Sequence, residues 1–326
     1  MGKVIVLTTG GTIASVKNEA TGLFTSGAMP GERLVDRNRL DLDIEVEAES
    51  VFQVPSNAMD FDKLLELRTR ILERLADGNV LGIVVTHGTD TLEESSYFMD
   101  LVLDCDRPVV FTGAQRAPSD EGTDCYTNIR DAVVAAACPD CAGLGVLVVF
   151  NEGVYCAKHV RKMHAFNMHA FTAFGYGQLG YVDKGRCYLF QRPLRRERSH
   201  TPSGAFPLVE IVKASLGSTG GVIDYLVDSG AAGIVLEGLG RGHVTPLVMD
   251  AVQRAVDQGV RVVITTTCEQ GRVHPVYDFP GGVRDLQSRG VITGHDYSSH
   301  KARIKLCVLL ASGVDSPEAL REAFSV

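Results

Sequence analysis

A chain of 326 residues that is 45% hydrophobic can bury a sizeable core and fits two domains better than one. Its net charge of −8 argues against a nucleic-acid surface, which normally needs a basic face, and no stretch is long and apolar enough to suggest a membrane span. Eight cysteines, with Met1-Gly2-Lys3-Val4 leading straight into a strand rather than an export signal, read as reduced thiols in a cytoplasmic protein.

The first predicted strand, Val4-Ile5-Val6-Leu7-Thr8-Thr9, is a short aliphatic run of the kind that fills a buried parallel strand. It opens into Gly10-Gly11-Thr12-Ile13-Ala14-Ser15. Adjacent glycines break the dinucleotide spacing G-x-G-x-x-G, and the Walker pattern is absent, so a phosphate cradle is disfavoured. A plain tight turn or a hydroxyl nucleophile at Thr12 remains. Segment 15–33 holds Gly22, Gly27, Pro30 and Gly31 with little apolar periodicity, and predicts a long loop acting as a lid.

A helix is predicted over Phe61–Asp77, followed by a strand over Leu81–Val85 that ends in Thr86-His87-Gly88-Thr89-Asp90-Thr91. Ligands of open α/β sheets sit beyond the carboxyl ends of the strands. Thr12 and Thr89 are therefore expected to face one crevice, with N–H groups of the glycine turns free for a ligand oxygen. A structural alternative competes, because Thr91-Leu92-Glu93-Glu94 fits a capping box and Asp90 could help cap the same helix. That alternative leaves His87, Gly88, Thr89 and Asp90 unexplained.

Helical segments over Leu92–Cys105 and Asn128–Ala137 alternate with strands over Pro108–Thr112, ending at Gly113-Ala114-Gln115, and Gly145–Phe150, ending at Asn151. Such alternation predicts βαβ units and a parallel sheet. Between the last helix and strand, Cys138-Pro139-Asp140-Cys141 has the CxxC spacing without a second pair at zinc-finger distance, which is weak ground for a metal or redox role. His159, His164 and His169 recur every five residues, which would scatter them around a helix, so no metal site is expected of them. A threonine nucleophile needs a base. His87 sits upstream of its turn, whereas Lys158 and Lys162 follow the strand ending at Asn151 and either could reach the crevice. A lysine serves as a base when burial and a neighbouring positive charge keep it neutral; a solvated lysine beside Arg161 is the competing reading.

From Gln191 to Pro207 the alternation lapses, placing a linker at 191–207 between domains at 1–190 and 208–326. Arg192, Arg195, Arg196 and Arg198 fall in it and read as solvated linker charges rather than a phosphate site. Strands over 208–212, 232–236 and 260–264 then begin a second series, each followed by a polar or glycine-rich turn. The fold class is α/β: a larger N-terminal domain with a mostly parallel sheet flanked by helices, and a smaller C-terminal α/β domain.

Thr9-Gly10-Gly11-Thr12-Ile13-Ala14 and Thr86-His87-Gly88-Thr89-Asp90-Thr91 together resemble the two signatures of the bacterial-type L-asparaginases. Gly113-Ala114-Gln115-Arg116 with Asp124 and Asn128 is similar to a third block of that family, and Gly180-Tyr181 to the close of its first domain. The ending Gly290-Val291-Ile292-Thr293-Gly294-His295-Asp296 through Lys305-Leu306 is similar to the cytoplasmic type I, and the likeness runs along nearly the whole chain.

The resemblance implies hydrolysis of L-asparagine to L-aspartate and ammonia through a threonine acyl-enzyme, without metal or organic cofactor. It implies Thr12 as nucleophile, Thr89 and Lys162 as second hydroxyl and base, and Asp90 as the carboxylate holding the substrate's α-amino group. Ser56 and Asn57 fall where the family grips the α-carboxylate and α-amino group, and Gly11, Gly88 and Ala114 line the substrate. A homotetramer built as a dimer of dimers is implied, with no nucleic-acid or membrane partner. Two departures stand out. Phe24, in the lid beside Thr25, occupies the place where many members carry a catalytic tyrosine, and its ring has no hydroxyl to donate. Arg241-Gly242-His243 replaces an asparagine-containing turn that helps form the neighbouring subunit's site, for which Glu269 is the nearest acidic candidate. A glutaminase or related amidase, or an amino-acid-binding relative of weak activity, are the alternatives. The amidotransferase subunit of tRNA-dependent amidation, with its extra N-terminal domain, fits a first strand at Lys3 less well.

Overall fold

The aliphatic runs become the buried centre of an eight-stranded sheet. A computed structural model describes residues 2–35, 40, 42–194 and 196–325; Arg195 of the arginine cluster lies outside them. By its contacts the chain divides into two units, Met1–Arg198 and Ser199–Val326.

In chain order the first unit carries β1 (Lys3–Gly10), β2 (Val16–Lys17), β3 (Phe24–Thr25), β4 (Glu45–Val54), α1 (Phe61–Leu75), β5 (Val80–Thr86), α2 (Leu92–Val102), β6 (Val109–Thr112) and α3 (Cys125–Ala137). There follow β7 (Val146–Phe150), β8 (Gly153–Cys156), β9 (Arg161–Lys162), β10 (Phe171–Thr172), β11 (Gly180–Asp183) and β12 (Arg186–Leu189). Strands β4-β1-β5-β6-β7 run parallel, and β8, β11 and β12 extend the sheet antiparallel. The chain leaves β1 for β4 on one side and returns to β5 on the other, so a topological switch point lies at the carboxyl end of β1.

Alternate residues of the parallel strands serve opposite faces. Val4, Val6, Val84, Val110, Leu147 and Val149 pack with Ile129, Ala132, Val133 and Ala136 of α3. Helices α1 and α2 lie against the sheet through Leu64, Leu67 and Ile71 and through a nearly all-buried α2. Each such buried aliphatic side chain contributes about 1.5–3 kcal/mol before the entropy of ordering it, which is why the strands tolerate so few polar residues.

Several predicted boundaries move. The helix from Phe61 stops at Leu75 because Asp77 turns to accept the Asn79 N–H at 2.9 Å. The helix expected over Leu92–Cys105 ends at Val102, and that expected from Asn128 starts at Cys125. Residues around the three histidines form no helix. Arg161–Lys162 instead pairs antiparallel with Phe171–Thr172, anchored by Phe171 against Phe150 with ring centroids 4.6 Å apart. His159 stacks on Tyr176 at 3.7 Å, and His164 Nδ1 accepts the N–H groups of Phe166 and Asn167. Within the predicted lid, Val16↔Thr25 and Lys17↔Phe24 form a small hairpin closed by the Asn18 N–H donating to Leu23 O at 2.8 Å.

The second unit is a parallel sheet in the order β13 (Val209–Lys213), β14 (Gly233–Gly238), β15 (Arg261–Thr266), β16 (Ile292–Thr293). Helices α4 (Gly221–Asp228), α5 (Met249–Asp257) and α6 (Val283–Ser288) bury Ile223, Val252 and Leu286 in one core with Ile234, Leu236 and Ile264. Helix α7 (Ser299–Ala311) packs on β13, β14 and β15, and α8 (Pro317–Phe324) on β16. Arg241, His243 and Glu269 belong to this unit, with the His243 ring edge-on to Phe279 at 5.0 Å.

Candidate active site

Three turns meet at the carboxyl ends of β1, β4 and β5. Gly10 and Gly11 take φ of 108° and 82°, the left-handed region that glycine enters without a Cβ penalty. A Cβ at Gly11 would lie 2.3 Å from Gly88 Cα, and one at Gly88 would lie 2.7 Å from Ser56 Oγ. The backbones therefore touch where no side chain fits, and Thr12 and Thr89, each the next residue, flank the contact. Thr9 Oγ1 donates to Thr86 O at 3.0 Å and holds the two strand ends in step.

The two hydroxyls differ in surroundings. Thr12, half-buried at the start of a 3-10 turn Thr12–Ala14, has no hydrogen bond to its hydroxyl among the described residues. Thr89 is buried; its Oγ1 accepts from Lys162 Nζ at 2.8 Å and donates to Gln115 Oε1 at 3.2 Å. The same Lys162 Nζ donates to Asp90 Oδ1 at 2.7 Å. Lys162 is held by β9 and by its own N–H, which donates to Glu93 Oε2 at 2.6 Å. Lys158 turns elsewhere, pairing with Glu197 at 3.3 Å, so of the two lysines only Lys162 reaches the crevice.

Thr91 occupies the N-cap position of α2 but makes no side-chain cap; its Oγ1 donates to Ser56 O at 2.8 Å, tying the turn after β5 to the turn after β4. The capping-box reading therefore fails at its hydroxyl. Ser56 is buried in the turn Ser56–Ala58, and Asn57 beside it is exposed. Asp90 is largely exposed, and apart from Lys162 its carboxylate faces solvent.

Of the backbone donors, the Gly11 N–H is engaged by Val54 O at 3.1 Å. The N–H groups of Thr12, Gly88 and Thr89 make no hydrogen bond among the described residues. Gly11 thus serves by close approach, while the three others offer donors for an oxygen that gains charge. Ala114 is fully buried, and Gln115 and Arg116 are fixed by their N–H groups donating to Asp124 carboxylate oxygens at 3.0 Å each. Asn128 continues the brace, donating to Gly113 O at 2.9 Å and accepting the Asn151 N–H at 3.0 Å.

His87 makes no hydrogen bond to Thr12, Thr89 or Lys162 among the described residues. Its ring is fully buried beside Phe111, its Nδ1 bonds Gly88 O at 2.8 Å, and burial pushes its pKa down to about 4. The β2–β3 hairpin places Phe24 and Thr25 on exposed β3, and its returning end is tied to the first turn: the Gly27 N–H donates to Gly11 O at 3.2 Å and the Met29 N–H to Ala14 O at 2.8 Å.

Sequence reasoning gave no role to Gln115 or Glu93. Gln115 orients the Thr89 hydroxyl from a loop 26 residues away, and Glu93 looks like an ordinary first-turn acid although it is buried. Only alternation of burial along α2 could have exposed Glu93, and α2 is buried nearly throughout.

Residues 3–195 match the family model "Asparaginase, N-terminal", and residues 208–324 match "Glutaminase/Asparaginase C-terminal domain". An L-asparaginase of Bacillus licheniformis is 48% identical over 310 residues, covering 95% of this chain and 96% of that protein. A glutaminase-asparaginase of Pseudomonas fluorescens biotype A is 32% identical, covering 98% of this chain and 90% of that protein. The crystal structure of a probable cytoplasmic L-asparaginase from Campylobacter jejuni superposes with a TM-score of 0.89 at 27% identity, covering 100% of this chain and 99% of that one.

Proposed function

The chain belongs to the bacterial-type L-asparaginase family, and on that premise we propose that it hydrolyses the side-chain amide of L-asparagine to L-aspartate and ammonia. The observation that carries the site assignment is Lys162 Nζ bridging Thr89 Oγ1 at 2.8 Å and Asp90 Oδ1 at 2.7 Å, beside the glycine contact that Thr12 flanks.

In the proposed mechanism Thr12 Oγ1 attacks the amide carbon, and its proton passes toward the leaving nitrogen. The Thr89 hydroxyl and Lys162 relay protons. The oxygen that gains charge is held by the free N–H groups of Thr12, Gly88 and Thr89. Collapse breaks the C–N bond, releases ammonia and leaves an ester on Thr12. Water then attacks the ester carbon, aspartate departs, and the threonine hydroxyl is restored. Asp90 holds the substrate's ammonium, competing with Nζ for the same carboxylate, while Ser56 and Asn57 take the α-carboxylate and α-amino group. The enzyme is proposed to act in the cytoplasm as a homotetramer.

Thr12→Ala tests the assignment. Near wild-type ammonia release by a folded Thr12→Ala protein would remove Thr12 as nucleophile. Phe24 favours one second reading, binding with slow turnover, since the lid lacks a phenol. Calorimetry with asparagine and glutamine beside steady-state ammonia assays separates the two readings: binding without release supports the second, and matched binding and release the first.

A further inference from the structure

The fold gives the Cys138–Cys141 turn a third sulfur. Cys187 on β12 lies against it: Cys141 Sγ and Cys187 Sγ are 3.7 Å apart, and the sulfurs of Cys138, Cys141 and Cys187 all lie within 4.8 Å of one another. Tetrahedral zinc with Zn–S bonds of about 2.3 Å sets its thiolate sulfurs about 3.8 Å apart. The three sulfurs thus already stand close to a metal-bound spacing.

The turn is built to present them. Pro139 opens a 3-10 turn Pro139–Cys141, and the Cys141 N–H donates to Cys138 O at 3.1 Å, which folds the pair tightly. Cys141 is buried while Cys138 and Cys187 are half-buried, so an ion can enter from the solvent side. The thiols are also unequal. The contact with Cys187 and burial push the Cys141 thiol up, while the contact with Cys141 pulls the Cys187 thiol down.

We propose that Cys138, Cys141 and Cys187 form a site for one soft divalent cation, zinc being the metal that matches it, with solvent in the fourth position. On binding, three thiol protons leave to solvent and three metal–sulfur bonds form, giving a site of net charge about −1. A disulfide fits the group less well. It would use two of three sulfurs and require Cys141 and Cys187 to close from 3.7 Å to about 2.0 Å, leaving a third thiol beside it.

The position suggests a staple rather than a reacting metal. Cys138 follows the last residue of α3, and Cys187 lies on the edge hairpin β11–β12. The other end of α3 supplies Asn128, with Asp124 just before it, and these brace the active-site loops. A cation here would fix the carboxyl end of a helix whose amino end these hydrogen bonds already hold.

The test is zinc content of the full chain, purified under reductant, loaded with zinc chloride and freed of loose metal. Wild type and the control Cys268→Ser, which alters an exposed thiol outside the cluster, are expected to retain about one zinc per chain and Cys187→Ala far less. Cobalt in place of zinc should give wild type a thiolate charge-transfer band, a readout that does not depend on how well the variant folds. Equal, low zinc in wild type and Cys187→Ala without a cobalt–thiolate band overturns the proposal. So does a Cys141–Cys187 disulfide that persists by mass spectrometry in the protein purified under reductant and loaded with zinc.

Discussion

Replacing Lys162 with methionine separates the chemical role of the Lys162–Thr89–Asp90 group from its structural one. Methionine keeps most of the stem but removes the ammonium that donates to Thr89 at 2.8 Å and to Asp90 at 2.7 Å. The Asp90 side chain is 73% exposed, so its pairing is screened and contributes at most about 1 kcal/mol. The Thr89 bond is part-buried, hydrogen bonds to charged groups contribute about 1.5–3 kcal/mol, and Thr89 keeps Gln115 as a partner. A fall in unfolding free energy of about 1–3 kcal/mol is therefore expected. Loss of a positioned proton carrier lowers rates by about 10²–10⁴, equivalent to about 3–5 kcal/mol of barrier. Ammonia release under saturating asparagine should thus drop far more than stability, as read by urea unfolding of the same preparation. Lys158→Met provides the contrast, because Lys158 pairs with Glu197 away from the crevice and should keep wild-type kcat. A Lys162→Met enzyme within tenfold of wild-type kcat would refute the proton-carrier role.

Gly11→Ala would force a methyl to 2.3 Å from Gly88 Cα at a φ of 82°, so the turns must part. Activity should fall at least about 100-fold, as expected when a nucleophile shifts by about 1 Å, and an active Gly11→Ala protein would show that the contact is not needed. His87, neutral in the fold with a pKa of about 4 against an ordinary 6.5, loses stability as pH falls from 6.5 toward 4, by up to about 3 kcal/mol. Asp131, raised by burial to about 6, opposes it, its contribution fading as pH rises through 6. Asp131→Asn should therefore show a steeper acid loss in denaturant unfolding than wild type, and identical slopes would discard the pairing of these two effects. Phe24→Tyr should raise kcat by about 2- to 10-fold if one hydrogen bond to the reacting groups is missing, and an unchanged kcat would place the ring out of reach.

Strands β1, β5, β6, β7, β13, β14 and β15 were legible because a parallel sheet covered on both faces leaves few alternatives to runs such as Ile83-Val84-Val85, whereas β4, mostly exposed or half-buried, offers no such run. The site turns were legible for a related reason. Polar and glycine residues directly after a buried strand lie where the run of buried aliphatic residues stops, and Thr12 and Thr89 follow the ends of β1 and β5, whereas Ser56, after the mostly exposed or half-buried β4, was reached only through the family resemblance. Helix ends were less legible, since they depend on local competitors such as Asp77, whose side chain takes the Asn79 N–H.

What the chain order concealed is which partner each polar group finds across the fold. Lys158 and Lys162 are alike by spacing; Glu197 claims one and Thr89 the other, over separations that periodicity cannot weigh. Thr91 satisfies the capping pattern in sequence, yet its hydroxyl goes to Ser56 O, 35 residues away, because the turn after β4 brings that carbonyl closer. Cys138 and Cys141 are a weak pair until β12 folds back and sets Cys187 beside them, 46 residues from Cys141. In each case the local pattern named a residue type correctly and its partner wrongly or not at all. The partner is set by the order of strands in the sheet, so substitutions at Glu197 and Cys187, whose side chains make these contacts, probe the fold's choices more sharply than substitutions at the motif residues.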